Sequence, residues 1–232
     1  QYITHAGPNN EYPLGEVWGV DAGDIDGDGD QDLVIGTRGS GYTGFIDIYR
    51  NTGNASGNFV WHARYQTQGA VNDVKVVDMM ENDAGTPDIL AAVSTAANTG
   101  QVLLWLNANG VFGMPDTTGH VFGPDVEPRW PDDFVIVDGE PLCLAILKVN
   151  NDIYPDVAYG TRSSSLYTGD VFVLPAYGTL PIAGTKINNS SSGEIVAIDV
   201  ADFNKDGRPD IVVGTRSSSV QGKLVAYFGR QL

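Results

Sequence analysis

Aspartates recur on alternate positions in the stretch that runs from residue 24 to residue 32. They are Asp24, Asp26, Asp28, Asp30 and Asp32, with two glycines among the intervening residues. Carboxylates held this close repel one another unless a cation neutralises them. A short loop of oxygen ligands suits Ca²⁺, which accepts six to eight oxygens and tolerates irregular geometry. The stretch therefore predicts a calcium loop, and the apolar run that follows it predicts a β-strand.

The loop has the pattern Asp-x-Asp/Asn-x-Asp-Gly-x-x-Asp, and a second complete copy lies near the end of the chain. Side-chain oxygens would come from the first, third, fifth and ninth positions and a backbone carbonyl from the seventh, while glycine at the sixth permits the bend. The predicted ligands are Asp24, Asp26, Asp28, Asp32 and the carbonyl of Asp30 in one loop, and Asp202, Asn204, Asp206, Asp210 and the carbonyl of Arg208 in the other. Asp21 and Asp199 precede only these two loops, and we expect them to support the metal ligands from behind. The alternative is a polar turn without metal, which the number of acids disfavours.

Two further copies of the loop are degraded. The second, residues 80–88, loses the acids at its first and fifth positions but keeps the glycine and the final aspartate, so it predicts the turn without the metal. In the third, Lys148 replaces the first ligand, whereas Asn150, Asp152 and Asp156 remain. We hypothesise that the Lys148 ammonium takes the place of the cation.

Aligned on the ninth position of the loop, the chain divides into four copies of one unit, which recur every ~55 residues apart from one longer interval. Each unit has an apolar strand before the loop, another directly after it and a third after a Gly/Ser/Thr-rich turn; the first three units add a fourth. No segment has the periodicity of a long helix. Such repeats are typical of β-propeller blades. We predict an all-β fold, a single propeller domain over residues 1–232, with four-stranded antiparallel repeats at approximately 15–66, 70–137, 140–190 and 193–232.

The fourth unit ends before a fourth strand could form, and residues 1–6 resemble a spare strand. We predict that residues 1–6 complete the last blade and close the ring, which removes two exposed sheet edges. Within one chain this N-terminal strand donation gives a four-bladed monomer, the preferred interpretation. Between chains it would give a closed dimer or an open filament.

This arrangement resembles the FG-GAP/VCBS repeats, whose best-known relatives are the propeller blades of integrin alpha chains. The matching residues are Asp24–Asp32 with Leu33–Gly36, and Asp202–Asp210 with Ile211–Gly214; the other two repeats match in apolar pattern. The resemblance implies an extracellular, calcium-stabilised propeller that serves in adhesion or carbohydrate binding, or as a module beside polysaccharide-acting enzymes. Integrin-type propellers usually have seven blades, so four units leave a small ring, a fragment or an assembly open.

The charge of the chain limits its partners. Acidic residues outnumber basic ones by 29 to 13, a net charge of −16, which argues against nucleic acid or an anionic membrane as a partner. No apolar segment is long enough to insert into a membrane as a helix. Since millimolar calcium outside cells fills weak sites, we expect an extracellular protein, either secreted or held at the cell surface.

Residue types that could perform catalysis form no recognisable pattern. His5, His62 and His120 lie in different repeat contexts, and no nucleophile elbow, phosphate loop or zinc motif is present. Cys143 lies in an apolar run and is expected to be buried. We therefore favour a non-catalytic module that binds a glycan or an extracellular protein or builds an assembly. The alternative is a polysaccharide lyase or hydrolase acting on acidic glycans, since two carboxylates could meet in space.

Three arginines, Arg38, Arg162 and Arg216, each stand six residues after the last aspartate of a loop. A strand rises ~3.3 Å per residue, which places them about 20 Å from the metal. We favour salt bridges between blades as their role. The alternative is a ring of guanidinium groups for the carboxylate or sulfate groups of an acidic glycan.

The longer interval between repeats contains an insertion, residues 107–132, with several aromatic residues, Arg129 and Trp130 among them. Long loops on rigid scaffolds often bind partners, so Arg129 and Trp130 are candidate ligand-binding residues. Alternatively, the aromatic residues fill a gap in the barrel or cover a blade edge. The sequence leaves both interpretations open.

Overall fold

The computed structural model describes residues 15–53, 59–79, 85–108, 110–115, 129–163, 167–177, 180, 184–187 and 193–229. The strands are β1 Glu16–Gly23, β2 Asp32–Arg38, β3 Gly44–Asn51, β4 Phe59–Thr67, β5 Ala70–Val77, β6 Asp88–Ala96, β7 Thr99–Trp105, β8 Met114–Pro115, β9 Arg129–Trp130, β10 Asp133–Asp138, β11 Glu140–Leu147, β12 Asp156–Arg162, β13 Val171–Leu174, β14 Thr185–Lys186, β15 Glu194–Ala201, β16 Asp210–Arg216 and β17 Gly222–Tyr227. All regular elements in these ranges are strands, so the prediction of an all-β fold is confirmed.

The strands form four antiparallel sheets in chain order, one for each predicted repeat. Their strand orders are β1-β2-β3-β4 in the first sheet, β5-β6-β7-β10 in the second, β11-β12-β13-β14 in the third and β15-β16-β17 in the fourth. The fourth sheet has three strands within the described residues. Residues 1–6, which we predicted to supply its fourth strand, lie outside them, and closure of the ring therefore stays a prediction.

The four sheets share their register as well as their strand order. In each, the first strand pairs with the second through one irregularity at the same place, between Val17 and Gly19 in the first sheet and between Ile195 and Ala197 in the fourth. The second and third sheets have it at the equivalent residues. Such a bulge bends a strand and increases its twist. Equivalent residues of the four sheets can therefore be compared position by position.

Three apolar cores lie between successive sheets. The core between the first and second sheets includes Val34, Ile48, Val71 and Val93. The second and third sheets enclose another, which contains Leu90 and Leu144, and the third and fourth sheets enclose the last, around Ile195 and Val213. Each inner sheet is buried on both faces because its strands alternate apolar side chains towards the preceding and the following sheet.

The inserted segment packs against the first sheet. Phe112 is fully buried in the core between the first and second sheets, and its ring meets the Tyr65 ring edge to face at 6.0 Å between centroids. β8 pairs with β9, and β9 lies beside the outer strand β4. The described part of the insertion therefore covers a blade edge and fills a core. Residues 116–128 lie outside the described part.

Candidate metal centres

The last residue of every loop is a fully buried aspartate that holds the loop to its sheet. One carboxylate oxygen accepts the backbone N–H of the second residue after the first strand, and the other accepts an N–H from the last residue of the third strand or from the second residue after it. In the third sheet, for example, Asp156 Oδ2 accepts from Val149 N at 2.6 Å and Oδ1 accepts from Ala176 N at 2.9 Å. The corresponding donors are Ile25 and Asn51 for Asp32, Met79 and Asn107 for Asp88, and Phe203 and Gly229 for Asp210. This role belongs to all four repeats, whether or not the loop keeps its other predicted metal ligands.

The first loop brings three carboxylates together. Asp24, Asp26 and Asp28 each present a carboxylate oxygen, and these atoms all lie within 4.8 Å of one another. Asp24 is oriented by the N–H groups of Gly27 and Gly29, at 2.8 and 2.9 Å. Such a set of hard oxygen donors fits a calcium ion. The carbonyl of Asp30 and the carboxylate of Asp32 stay predicted ligands.

Neighbouring groups adjust the charge of this first loop. Arg50 forms an ion pair with Asp26, with Nη1 3.1 Å from Oδ2. Burial raises the pKa of Asp32 above its usual value, and the charges of Asp26 and Asp28 raise it further. A divalent cation among these carboxylates would oppose that shift by favouring the ionised form.

The fourth loop repeats the bonding of the first. Gly207 N donates to Asp202 Oδ2 at 2.9 Å, as Gly29 N does to Asp24 Oδ2 at the same distance. The chain of bonds from the third to the fifth to the seventh residue is also shared, because Asp206 N donates to Asn204 Oδ1 and Arg208 N donates to Asp206 Oδ1. Gly29 and Gly207 both adopt positive φ, 94° and 85°, as the bend requires. Asp202, Asn204 and Asp206 are therefore arranged as a second candidate calcium site.

The third loop differs at the positions where its sequence departs from the pattern. Lys148 Nζ donates to the carbonyl oxygen of Ile153 at 2.7 Å, and among the described residues it forms no ion pair with Asp152 or Asp156. The bonds from Asn150 to Asp152 and from Asp152 to Tyr154 are kept. The lysine thus spans the loop through a carbonyl contact. Its replacement of the cation stays a hypothesis.

The second loop begins at Asp78, because Val77 pairs with Asp88 as Gly23 pairs with Asp32. It is therefore two residues longer than the pattern, and the prediction that it lacks an acid at its first position is wrong. Residues 80–84 of this loop lie outside the described part of the chain. Its Gly85 keeps a positive φ of 61°, as expected for the predicted turn. Asn107, the first residue of the insertion, braces the neighbouring loop: its Nδ2 donates to the Ile25 carbonyl at 2.8 Å. This contact could not be recognised in the sequence, because the two residues belong to different repeats.

Asp88, the last residue of the second loop, has a strongly raised pKa. Burial raises its pKa to about 6; the hydrogen bonds from Asn107 and Met79 lower it, and the charges of Asp78 and Asp132 raise it. The folded chain therefore binds a proton at Asp88 more tightly than the unfolded chain does. This contribution to stability is complete below the unfolded pKa and is lost as pH rises through the folded pKa.

We expect the Asp88 carboxyl carbon to titrate by NMR with a midpoint near pH 6 in the folded protein. Relative to an Asp88→Asn variant, which does not titrate, the wild-type chain should lose about 2 kcal/mol of unfolding free energy between pH 4 and pH 7. Urea unfolding of both proteins across this range measures the difference. A midpoint near pH 4, with parallel pH profiles, would contradict the prediction.

Asp21 contacts the next sheet: its Oδ2 accepts the backbone N–H of Val76 in β5 at 2.8 Å. The sequence predicts that Asp21 supports the metal ligands, whereas the structure shows it joining the first sheet to the second. Asp73 of β5 plays a similar part, since it accepts the N–H of Leu144 in β11 at 2.8 Å. The position of Asp21 shortly before an intact loop therefore did not predict the contact that its carboxylate makes.

Two of the three arginines that end the second strands pair within their own sheets. Arg162 donates to Glu140 at 2.5 Å, and Arg216 Nε donates to Glu194 at 2.8 Å. Each pair faces directly across the antiparallel first and second strands of one sheet. The prediction of salt bridges between blades is wrong for these two residues, because directly opposed strand positions bring the charges together locally.

Arg38 lacks this pairing. Its guanidinium carbon lies 3.6 Å from the centroid of the Trp18 ring, and its Nε is buried without a hydrogen-bond partner among the described residues. Glu16, the residue opposite in register, accepts a bond from Trp18 Nε1 instead. Burial lowers the pKa of Arg38, and the nearby charge of Arg162 lowers it further.

The three arginines line one cavity of about 480 Å³, which also contains Trp18 and Lys75. First strands of all four sheets contribute to its wall, so the cavity lies where the sheets converge. Trp18 and Lys75 were not singled out in the sequence, since neither recurs at the equivalent position of other repeats. Arg129 and Trp130 form β9, beside β4, and the structure does not describe their side chains. Of the histidines, His62 lies in β4, while His5 and His120 fall outside the described residues.

Two family models match parts of this chain. One, described as an FG-GAP-like repeat, matches residues 148–213, which contain the third and fourth loops. The other, described as an FG-GAP repeat, matches residues 17–49, which contain the first loop with its flanking strands. No curated protein matches the chain. Within the described residues, no helix has the length and hydrophobicity that a membrane span needs.

Proposed function

Because this chain carries FG-GAP-like repeats, we propose that it is a non-catalytic, extracellular module of the β-propeller type, stabilised by two calcium ions and used in adhesion. The observation that carries the proposal is the shared bonding of the first and fourth loops, which orients the same predicted ligand positions in both. Repeats of this family are typical of extracellular proteins and frequent in adhesion. Bound calcium would neutralise the clustered carboxylates and fix the turn between the first two strands of a sheet.

The cavity at the convergence of the sheets is the proposed binding site. Arg38 carries a charge without an ion-pair partner among the described residues, and Arg162 lies close enough to affect its pKa. An anion between the two would relieve their repulsion and satisfy the buried Nε of Arg38. Trp18, 55% exposed, offers a ring surface of the kind on which sugars pack. The ligand that fits is an acidic glycan with carboxylate or sulfate groups.

We expect galacturonate oligosaccharides to bind in the presence of calcium and to release heat in a calorimetric titration. Their methyl esters, which keep the sugar rings without the charge, should bind at least about tenfold more weakly. Arg38→Ala should weaken binding of the acid form to a similar extent. Lys223→Ala removes a charge from the exposed strand β17, and its affinity should equal that of the wild type.

Equal affinity for the acid and its ester, or for the wild type and Arg38→Ala, would contradict an anion site in this cavity. The calcium-stabilised module could still be correct in that case, since the loops do not depend on the arginines.

The alternative, a lyase or hydrolase acting on acidic glycans, has one observation in its favour. Asp73 lines the same cavity, and burial raises its pKa, as a general acid would require. Its two oxygens, however, already accept N–H bonds from Val74 and Leu144. Release of reducing or unsaturated ends from polygalacturonate, abolished by Asp73→Asn, would favour the enzyme over the binding module.

A further inference from the structure

The two outer faces of the four-sheet series are apolar and exposed, although the equivalent faces of the inner sheets are buried. Val17 and Val20 of the first sheet are 51% and 58% exposed, whereas Val71 and Val74, their equivalents in the second sheet, are fully buried. At the other end, Leu224 of the fourth sheet is 79% exposed. Its equivalent by register is Ile46, which pairs with Gly36 as Leu224 pairs with Gly214 and is 1% exposed.

Glycines in the second strands leave a space on the sheet face that a side chain of the following sheet can fill. A Cβ on Gly36 would lie 2.4 Å from Val71 Cγ1 of the following sheet, and a Cβ on Gly160 would lie 2.2 Å from Ile195 Cγ2. In both places the side chain of the following sheet's first strand occupies the space above the glycine. Gly214 is the equivalent residue in the fourth sheet, and a Cβ there would meet only Ala197 of its own sheet, at 3.5 Å.

The space above Gly214 therefore matches the side chain that Val17 presents. Val17 occupies the same register position as Val71 and Ile195, opposite a threonine of the second strand in the first and fourth sheets alike. Asp199 offers a polar contact on the same sheet. It is exposed and occupies the position of Asp21, which accepts the N–H of Val76 in the following sheet. The equivalent donor on a first sheet is the N–H of Ala22.

We propose that the fourth sheet binds the first sheet of a second copy of this chain. The contact continues the series of interfaces already present between the sheets, with Val17 of one copy above Gly214 of the other and Asp199 accepting from Ala22. Each copy offers one face of each kind, so two such contacts join two copies in a closed ring of eight sheets. All four exposed faces are then buried, which is the main driving force for association. This interface does not use residues 1–6 and takes the place of ring closure within one chain. It adjoins the proposed glycan site, because Trp18 and Ala197 line that cavity.

The test is the mass of the chain in solution, measured by light scattering after gel filtration over a range of concentrations. We expect twice the chain mass of 24.7 kDa. Gly214→Val should give the single-chain mass with an unchanged circular dichroism spectrum, because the added side chain meets open space in its own chain and collides with Val17 of the other. Gly36→Val is the matched control: the same substitution at the equivalent buried position should destabilise the fold itself.

Leu224→Asp is a second variant that should disrupt the contact between copies, and it changes no glycine. The substitution places a charge in the contact, whereas in the single chain residue 224 is exposed. Val60→Asp, on the outer strand of the first sheet and 46% exposed, should leave the mass of the assembly unchanged. A wild-type chain of single mass at every concentration would overturn the proposal, as would growth into filaments. A dimer that persists in both Gly214→Val and Leu224→Asp would overturn the interface.

Discussion

Replacing Asp156 by alanine should lower the free energy of unfolding by about 2–6 kcal/mol, because it leaves two backbone N–H groups inside the third sheet without acceptors. These groups belong to Val149 and Ala176, and the carboxylate that accepts them is fully buried. The third loop is the right place for the experiment because it lacks the complete set of calcium ligands. The loss can therefore be measured by urea unfolding without interference from metal.

Asp152→Ala, in the same loop, is the matched control. The Asp152 side chain is half-buried, and its carboxylate accepts one N–H, from Tyr154, at Oδ1, whereas Oδ2 has no hydrogen-bond partner among the described residues. Its loss should change the unfolding free energy by less than about 1 kcal/mol. Comparable losses for the two variants would show that the ninth aspartate has no special role in holding the loop to the sheet.

Removing calcium should have the other large effect. A site that is filled at a free calcium concentration of 100 times its dissociation constant stabilises the fold by about 2.7 kcal/mol, so two sites would contribute about 5 kcal/mol. We therefore expect a chelator to lower the unfolding temperature markedly, and added calcium to restore it. Magnesium should restore little, since it demands a smaller octahedral site.

The Asp28→Asn/Asp206→Asn double variant is expected to unfold at the same temperature with and without the chelator. Asp152→Asn changes the corresponding residue of the third loop, and this variant should respond to the chelator as the wild type does. An equal response of all three proteins would place the effect of calcium outside the two acidic loops.

The spacing of the repeats predicted the strands well, because a loop of fixed length and an apolar run are both local signals. The fourth strand of the second repeat follows the long insertion, at Asp133–Asp138, close to the predicted end of that repeat at residue 137. The ninth aspartate was recognised as the alignment point of the repeats, but only as a metal ligand. One of its two backbone contacts is made with a residue about 20 positions further along the chain, where donors as different as Asn51 and Gly229 serve equally.

Contacts between side chains of different strands and different sheets could not be predicted from the sequence. Asp21 bonds to the second sheet, and the arginines pair across their own strands, because the pairing of strands and sheets in space decides which charges meet. The glycines at Gly36 and Gly160 could have been noticed, since they recur at one position of the repeat, but only the packing shows that a neighbouring side chain fills the space above them.

A calcium titration followed by calorimetry tests the central claim most directly. The wild-type chain should bind two calcium ions, Asp28→Asn and Asp206→Asn should each bind one, and the double variant should bind none. In these variants the remaining carbonyl oxygen can still accept the N–H of Asp30 or Arg208, so the turn is kept while a charged ligand is lost. A wild-type chain that binds no calcium, or variants that bind as many ions as the wild type, would contradict the claim.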